Sequence, residues 1–545
     1  MKHRLFAMAV SAALTLTAFN ADAQTSVKSQ RMIVLFKDGS VARQTVRIGD
    51  RLETLFTDQR VAANPRIWEA VSLKAALLVR NLENRYAARA HIVFDGVSGG
   101  FAANLDVSQV AALRQDRDVA EVVPDAVGVP AAADSSPWLN RPGFGPGYNF
   151  TYGWNLYAIG AINYVSDAEP AKNNPSYRTN DGYPVKAYII DAGIQPHADL
   201  NFNWQVDHIS FDAHSNVGGA CNPDKLGNCT DPTYSYQPVC SSHGTHVAGI
   251  VGATRQSGAP VGVEGVAPGV QLVSVRVNNY CYTTSNTYPG LTYLSSVLAA
   301  IQWVADQSVA AAGSATRTGA VANISILWNQ VDPAHTNYIT AYAAGALRDK
   351  IKDAVETKGV FFSFAAGNSN EPACNLLPGA LGRDIGGAMA VGALGNGGLP
   401  MRDVPLESGK IATYGPCVEL WAPGQSVQST GAFPGTVLGQ IYPPESDAWG
   451  PGVPYSPSSS NLYPGQAYYM AQSGSSMAAP HVAGAALLVL KKFSLAGQPL
   501  PGPVALEAYI QVPSRLKGMS PSYGGNPVPP GGSSWPVNML QVNAY

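Results

Sequence analysis

The chain has 545 residues, 46% of them apolar and only 13% charged, against about 25% charged in an ordinary globular protein. That length supports more than one folding unit, and that composition excludes a disordered polyelectrolyte. The net charge of −2 conceals a basic front, with 16 Lys and Arg against 13 Asp and Glu in residues 1–130, ahead of an acidic remainder; no basic stripe points to nucleic acid.

Residues 1–23 read as a secretory signal. Lys2 and Arg4 form a basic start, Leu5 to Phe19 is mostly apolar, and Ala21-Asp22-Ala23 is a small-x-small cleavage site. The apolar run is short for about 30 Å of hydrocarbon, so no membrane anchor is expected. A unit of strand–helix–strand–strand–helix–strand pattern follows. The strands are Arg31–Phe36, Ala90–Phe94, Phe101–Leu105 and Ala120–Val123. One helix is predicted over Pro65–Tyr86, with Trp68, Val71, Ala75, Leu78 and Leu82 on one side, and a second begins at Asp106. This order is that of a split βαβ unit.

Pro124 to Gly147 has the composition of an exposed connection. Beyond it, strands Val185–Ile190, Gln271–Val277, Ala320–Ile326 and Val360–Ala365 alternate with helices Val247–Val251, Leu294–Val304, Ala341–Val355 and Ala479–Lys492. Short buried strands between helices imply a parallel sheet covered on both faces, with sites at the strands' carboxyl ends. Gln425 to Ala471, rich in Pro, Tyr, Ser and Gly, shows no periodicity and reads as a long functional loop.

Four segments hold groups suited to nucleophilic catalysis. Ala187-Tyr188-Ile189-Ile190-Asp191 puts a carboxylate at the end of a buried strand. Ser242-His243-Gly244-Thr245-His246 puts a histidine at a helix start, without the Glu and the i, i+4 spacing of a zinc helix, so His246 is expected to be structural. Ser473-Gly474-Ser475-Ser476-Met477 puts a serine at the first turn of an apolar helix, with Pro480 tolerated as a first-turn residue and His481 a packed one. Phe361 to Asn368 is a strand ending in a Gly-Asn turn whose amide can donate to an oxyanion. A serine nucleophile needs a base, and the base an orienting acid; the order Asp…His…Ser differs from His…Asp…Ser and from Ser…Asp…His with its G-x-S-x-G elbow.

These segments resemble the subtilase family of serine endopeptidases, nearest the proteinase K and aqualysin group. The resemblance implies Asp191 as orienting acid, His243 as general base, Ser476 as nucleophile and Asn368 as oxyanion donor, acting on proteins or peptides through an acyl-enzyme without a catalytic cofactor. It implies an α/β subtilisin-like three-layer fold with a mostly parallel sheet over 131–545. Ahead of this stands a small α+β, ferredoxin-like propeptide over 24–130, which Val97 to Leu105 and Asp118 to Asp125 resemble. Such a propeptide assists folding and then inhibits, its end lying product-like in the cleft; the mature chain would begin between Ala126 and Ser136. A secreted monomer is expected. Substrate would lie between Ser325-Ile326-Leu327 and Ala365-Ala366-Gly367. Where the family usually continues Gly-Gly, this chain has Leu327-Trp328, so narrowed specificity is expected.

All six cysteines follow residue 220. An even number in an exported chain favours disulfides over zinc, in any of 15 pairings. The resemblance implies Cys240–Cys281 and Cys374–Cys417, with Cys221 and Cys229 as the remaining pair. It also admits structural calcium near Asp207, Asp212, Asn216, Asn222, Asp224 and Asp231; no EF-hand spacing is met, so a solvated loop is the competing reading. For the whole chain the competing reading is a non-catalytic binding protein on the same fold. Leu327-Trp328 favours it, and the presence of all four chemical residues opposes it.

Overall fold

The computed structural model describes residues 29–47, 50–52, 71–130, 132–138, 154–160, 183–195, 197–203, 207–211, 242–254, 263–277, 292–308, 317–395, 412–431, 436–437, 440–441, 469–512, 516–519 and 537–542. The signal segment, four of the cysteines (Cys221, Cys229, Cys240 and Cys281) and all the calcium candidates except Asp207 lie outside them.

The front unit runs β1 (Gln30–Phe36), α1 (Leu73–Tyr86), β2 (Ala90–Phe94), β3 (Gly100–Leu105), α2 (Val107–Arg114) and β4 (Val119–Pro124). Ser72 caps α1 by accepting from the Ala75 N–H. Asp106 and Gln109 exchange hydrogen bonds of 2.8 and 2.9 Å at the start of α2, a capping box that satisfies two otherwise orphan donors. The sheet order is β2-β3-β1-β4, with every described pairing antiparallel. Residue alternation sends Met32, Val34 and Phe36 into one core with Leu78, Val79 and Leu82 of α1. It sends Ile33, Leu35, Ile92 and Phe94 into a second cluster, shared with helices of the larger domain.

Two strands connect the units: β5 (Val127–Pro130) and β6 (Ala132–Trp138). The larger domain follows with α3 (Trp154–Ala158), β7 (Ala187–Asp191), β8 (His208–Ser210), α4 (His243–Gly252), β9 (Leu272–Arg276), β10 (Thr292–Tyr293), α5 (Leu294–Gln307), β11 (Ala320–Ile324), β12 (Ile326–Asn329), α6 (Ala341–Glu356), β13 (Val360–Ala365), β14 (Leu376–Leu377), β15 (Ala388–Leu394), β16 (Leu420–Pro423), β17 (Val427–Thr430), β18 (Thr436–Val437), β19 (Gln440–Ile441), β20 (Tyr469–Gly474), α7 (Ser475–Leu495), α8 (Pro503–Ile510), β21 (Leu516–Met519) and β22 (Val537–Leu540). Among the described residues the central sheet has the order β21-β22-β16-β15-β13-β11-β7-β9-β8, parallel except for the β21–β22 pair. Ile189 and Phe361 face a cluster with α4, α7 and α8, whereas Tyr188, Ile190 and Phe362 face one with α5 and α6. The fold is thus the three-layer α/β arrangement, a sheet buried on both faces. Helix α7 is long and apolar enough to cross a membrane, but it is a core helix, lying across β11, β13 and β15.

Several expectations change. The helix expected over Pro65–Tyr86 starts at Leu73, after the extended N-cap Ser72, and its expected residues 65–70, Trp68 among them, lie outside the described set. The expected connection Pro124–Gly147 carries strands β5 and β6. The run Ala320–Ile326 is two strands: it breaks at Ser325, and β12 leaves the central sheet to pair with β5 and β14. The segment Gln425–Ala471 is not loop throughout, because β17 pairs antiparallel with β20 from Val427↔Gln472 to Thr430↔Tyr469, and β18 pairs with β19; residues 432–435, 438–439 and 442–468 lie outside the described set. Pro480 lies beyond the first turn, since α7 already starts at Ser475.

The two units meet through polar contacts as well as the shared cluster. Asp125, whose side chain is fully buried, accepts from Ser295 N at 2.9 Å, from Ser295 Oγ at 2.6 Å and from Arg31 Nε at 2.7 Å. It thereby caps α5 from outside the larger domain. Lys350 of α6 donates to the Asp95 carbonyl and, at 2.7 Å, to Gln302 Oε1; burial pushes its ammonium down to about 8. Asp125→Ala removes the acceptor shared by three donors. Its expected cost is about 3–5 kcal/mol in urea unfolding of the full chain, and an unchanged midpoint would contradict this docking geometry.

Candidate active site

The strand ends bring Asp191, Ser325 and the 365–368 turn to one edge of the sheet, where α4 and α7 begin. His243 is the first residue of α4, and its Nδ1–H donates to Asp191 at 2.8 Å from Oδ1 and 3.0 Å from Oδ2, with both side chains almost wholly buried. Asp191 Oδ1 also accepts from the Ala192 N–H at 2.6 Å. Backbone thus helps to orient the carboxylate. Gly244 permits the approach: a Cβ there would lie 2.3 Å from the Gly193 carbonyl and 3.1 Å from Asp191 Oδ1. With Nδ1 donating, Nε2 is the basic nitrogen of His243.

Ser476 stands in the first turn of α7, which packs against α4. Its Oγ donates to the Ser325 carbonyl at 3.4 Å, and Ser325 Oγ donates to the Ser476 carbonyl at 3.3 Å. The second bond has a local cause. Pro480 has no N–H for the carbonyl four residues earlier, which is that of Ser476, and the Ser325 hydroxyl takes the place of that donor. Asn323 Nδ2 donates to Ser325 Oγ at 3.0 Å and fixes the hydroxyl's rotation.

Ser475 joins the helix to the 365–368 turn. Its N–H donates to Asn368 Oδ1 at 2.9 Å, and its Oγ accepts from the Gly367 N–H at 2.9 Å. Holding Oδ1 in this way fixes the amide so that its NH₂ end is the donor end. No local pattern marks this role of Ser475, nor Thr292-Tyr293, a two-residue strand with no periodicity to signal it. Ala365 and Ala366 are fully buried beside this turn, and Leu327 shares a cluster with Ala365 and Leu376. Cys374 and Cys417 form a disulfide, with Cα atoms 5.2 Å apart, next to Ala366.

Strand β5 lies between two edges of this cleft. Thr292 pairs with Gly128 and Tyr293 with Val127 on one side; Leu327 pairs with Val129 and Ile326 with Pro130 on the other. Then β6 runs antiparallel to β20, with Ala132 opposite Gly474 immediately before α7. The backbone therefore changes partners between residues 130 and 132, at the start of the helix that carries Ser476.

His246 and His481, on the same two helices, have structural partners. His246 donates from Nε2 to the Val427 carbonyl at 2.9 Å and the Met470 carbonyl at 3.2 Å. His481 donates from Nδ1 to the Met477 carbonyl at 2.7 Å and accepts from Asn155 Nδ2 at 3.0 Å. Burial pushes the first down to about 3 and the second to about 4. Asp207 has its oxygens engaged by Gln271 Nε2 at 2.8 Å and Asn203 N at 3.2 Å. Among the described residues no group of His, Cys, Asp or Glu would hold a metal ion.

Two outcomes follow from these contacts. Ser325→Ala costs about 1–3 kcal/mol in urea unfolding, and the cost shrinks in a Pro480→Ala background, where residue 480 supplies the N–H. Equal cost in both backgrounds would contradict the proline explanation. Neutral His246 and His481 stabilise the fold above the ordinary imidazole value of 6.5; that stability is lost as pH falls from there toward 4 and then 3. Melting temperature should fall across this window and fall less steeply in His246→Gln, whose amide keeps the donor role; parallel curves would contradict it.

The family model described as "Subtilase family" matches residues 185–499. The alkaline serine exoprotease A of Vibrio alginolyticus is 28% identical over 461 residues, which cover 83% of this chain and 63% of that protein, so this chain spans just under two thirds of that relative's length. An extracellular serine proteinase of Thermus sp. (strain Rt41A) is 28% identical over 440 residues, 80% of this chain and 77% of the relative. Among solved structures, a cold adapted subtilisin-like serine proteinase is 25% identical with a TM-score of 0.40, over 71% of this chain and 97% of that one. The family model covers more than half of the chain, and the chain belongs to the subtilase family.

Proposed function

We propose that the chain is a secreted serine endopeptidase made as an inhibited precursor, with Ser476 as nucleophile, His243 as general base, Asp191 as orienting acid and Asn368 as oxyanion donor. The front unit, 24–130, is its propeptide. The observation that carries this reading is the path of β5 and β6, which cross the site as the middle strand of an antiparallel trio and then as a partner of the strand leading into Ser476. An extended substrate would add to the same two edges by backbone hydrogen bonding, its side chains directed to alternate faces.

The chemistry follows from the contacts. His243 Nε2 takes the Ser476 proton as Oγ bonds to the substrate carbonyl carbon, and Asp191 stabilises the imidazolium through Nδ1. The oxyanion is met by the Asn368 amide and by backbone N–H groups at the start of α7, where the helix dipole is favourable. Collapse breaks the C–N bond, and the imidazolium returns its proton to the departing amine. Water then attacks the ester by the reverse sequence, with His243 again as base, and frees the new carboxyl end.

The switch of partners on either side of residue 131 favours cleavage between 130 and 132, within the interval expected from sequence. The buried Asp125 and the shared apolar cluster hold the front unit in place before the cut. Secretion rests on residues 1–23 and on relatives that are named extracellular.

N-terminal sequencing of the processed protein should read from residue 131 or 132, and Ser476→Ala should accumulate uncut. A start elsewhere, or processing of purified Ser476→Ala, would overturn this reading. Asn368→Leu in the processed enzyme should lower turnover on casein by about 10²–10³, the loss known for such a donor in a subtilisin; a change under tenfold would remove Asn368 from the role.

A further inference from the structure

Trp328 is the feature of the cleft that the catalytic reading leaves unused. Successive residues of β12 face opposite ways. Leu327 joins the cluster that holds Ala365 and Leu376, whereas Ile326 and Trp328 join the one that holds Ala126 and Leu377. The two bulky residues therefore act at different places along a bound chain. The indole is fully buried beneath β5, and Nε1–H donates to the Ala126 carbonyl at 3.3 Å. That carbonyl also accepts from the Leu294 N–H at 2.9 Å.

The residue lying over the ring is Gly128. A Cβ built there would sit 2.7 Å from Cε2 and from Cζ2 of Trp328, and 2.7 Å from Cγ2 of Ile326. Carbon atoms in contact stand about 3.5–4.0 Å apart, so no side chain fits without displacing the indole. On its other edge β12 pairs with β14, which places Leu377 beside Trp328. Gly128 is fixed from its other side by pairing with Thr292. The floor of the cleft at this strand position is thus closed by a ring at the distance of a backbone.

We propose that Trp328 is a specificity-determining residue that admits only glycine at the substrate position equivalent to Gly128, two residues before the one opposite Ile326. This rests on the cleft reading above, in which β5 lies as a substrate would. The substrate class is then an extended, apolar segment bearing glycine at that position, of the kind found in glycine- and proline-rich chains. The chain's own Val127-Gly128-Val129-Pro130 is an example. Chains with a branched or aromatic residue at this position are refused, even when the residue next to the cut is acceptable.

The test uses the processed wild-type enzyme and internally quenched peptides built on residues 127–132, Val-Gly-Val-Pro-Ala-Ala, with Gly, Ala or Leu at the second position. Casein serves as a control for activity. The expected result is a kcat/KM about tenfold or more lower for Ala than for Gly, and lower again for Leu. Trp328→Gly should bring the three within about threefold by raising the Ala and Leu values. Casein cleaved with Gly, Ala and Leu peptides equal in the wild type would overturn the proposal and leave the peptidase reading standing. Failure on casein and on every peptide would overturn both. The wild-type comparison decides the matter even if Trp328→Gly does not fold.

Discussion

The pair of hydrogen bonds exchanged by Ser325 and Ser476 is the joint on which the site turns. One residue ends a strand of the central sheet, and the other sits in the first turn of the long core helix. The bonds, 3.3 and 3.4 Å, tie the place where the 320–329 chain leaves the sheet to the place where α7 starts. The Ser325 hydroxyl can serve there because Pro480 supplies no N–H to the Ser476 carbonyl. Ser475 adds a second tie, to Gly367 and Asn368. The helix that carries Ser476 is therefore pinned to both edges of the cleft, and Ser325, Ser475 and Gly367 supply the partners that stand beside the proposed catalytic residues. Such pinning holds reacting groups in register without reorganisation at the moment of reaction.

The break at Ser325 has a second consequence. Once β12 leaves the parallel sheet, its edge is available for antiparallel pairing, and β5 occupies it. The front unit reaches that position with both faces of its sheet covered, one by its own helices and one by α5 and α6. Apolar burial of that extent, with Asp125 capping α5, gives a strong non-catalytic anchor. Strand β5 is then held between β10 and β12 by more than its own pairing. Under the proposed processing, a cut between 130 and 132 would leave this anchor intact, so release of the front unit would be a step separate from the cut.

The places of the proposed catalytic residues in the fold were legible because each falls at a boundary between elements. Asp191, His243, Ser476 and Asn368 each sit where a strand ends or a helix starts, and local patterns of apolar run, glycine and turn mark those places. The apolar runs of 187–191 and 360–365 and the cap at Asp106 belong to the same short-range grammar, whereas Asp125 caps a helix start 170 residues away and no local pattern signals it. What local pattern could not convey was register. Ala320 to Ile326 reads as one apolar run, and only pairing shows that Ser325 divides it. Thr292-Tyr293 is too short to have a period. Leu327-Trp328 was visible as an unusual pair, but narrowing could be assigned to a position only once Gly128 was seen against the indole. Pro480 misled in a related way, since the start of α7 was placed too late and the freed carbonyl went unnoticed. The Gln425–Ala471 segment hid β17, β18, β19 and the start of β20, because their partners lie in one another and in β6.

The central claim is that Ser476 is a nucleophile activated through His243 and Asp191. The most direct measurement is labelling of the processed protein with a fluorophosphonate probe, followed by peptide mapping of the modified residue. The account predicts stoichiometric modification of Ser476 and loss of labelling in His243→Ala. Labelling at another serine, no labelling of a protein that is folded and processed, or equal labelling in His243→Ala would contradict it.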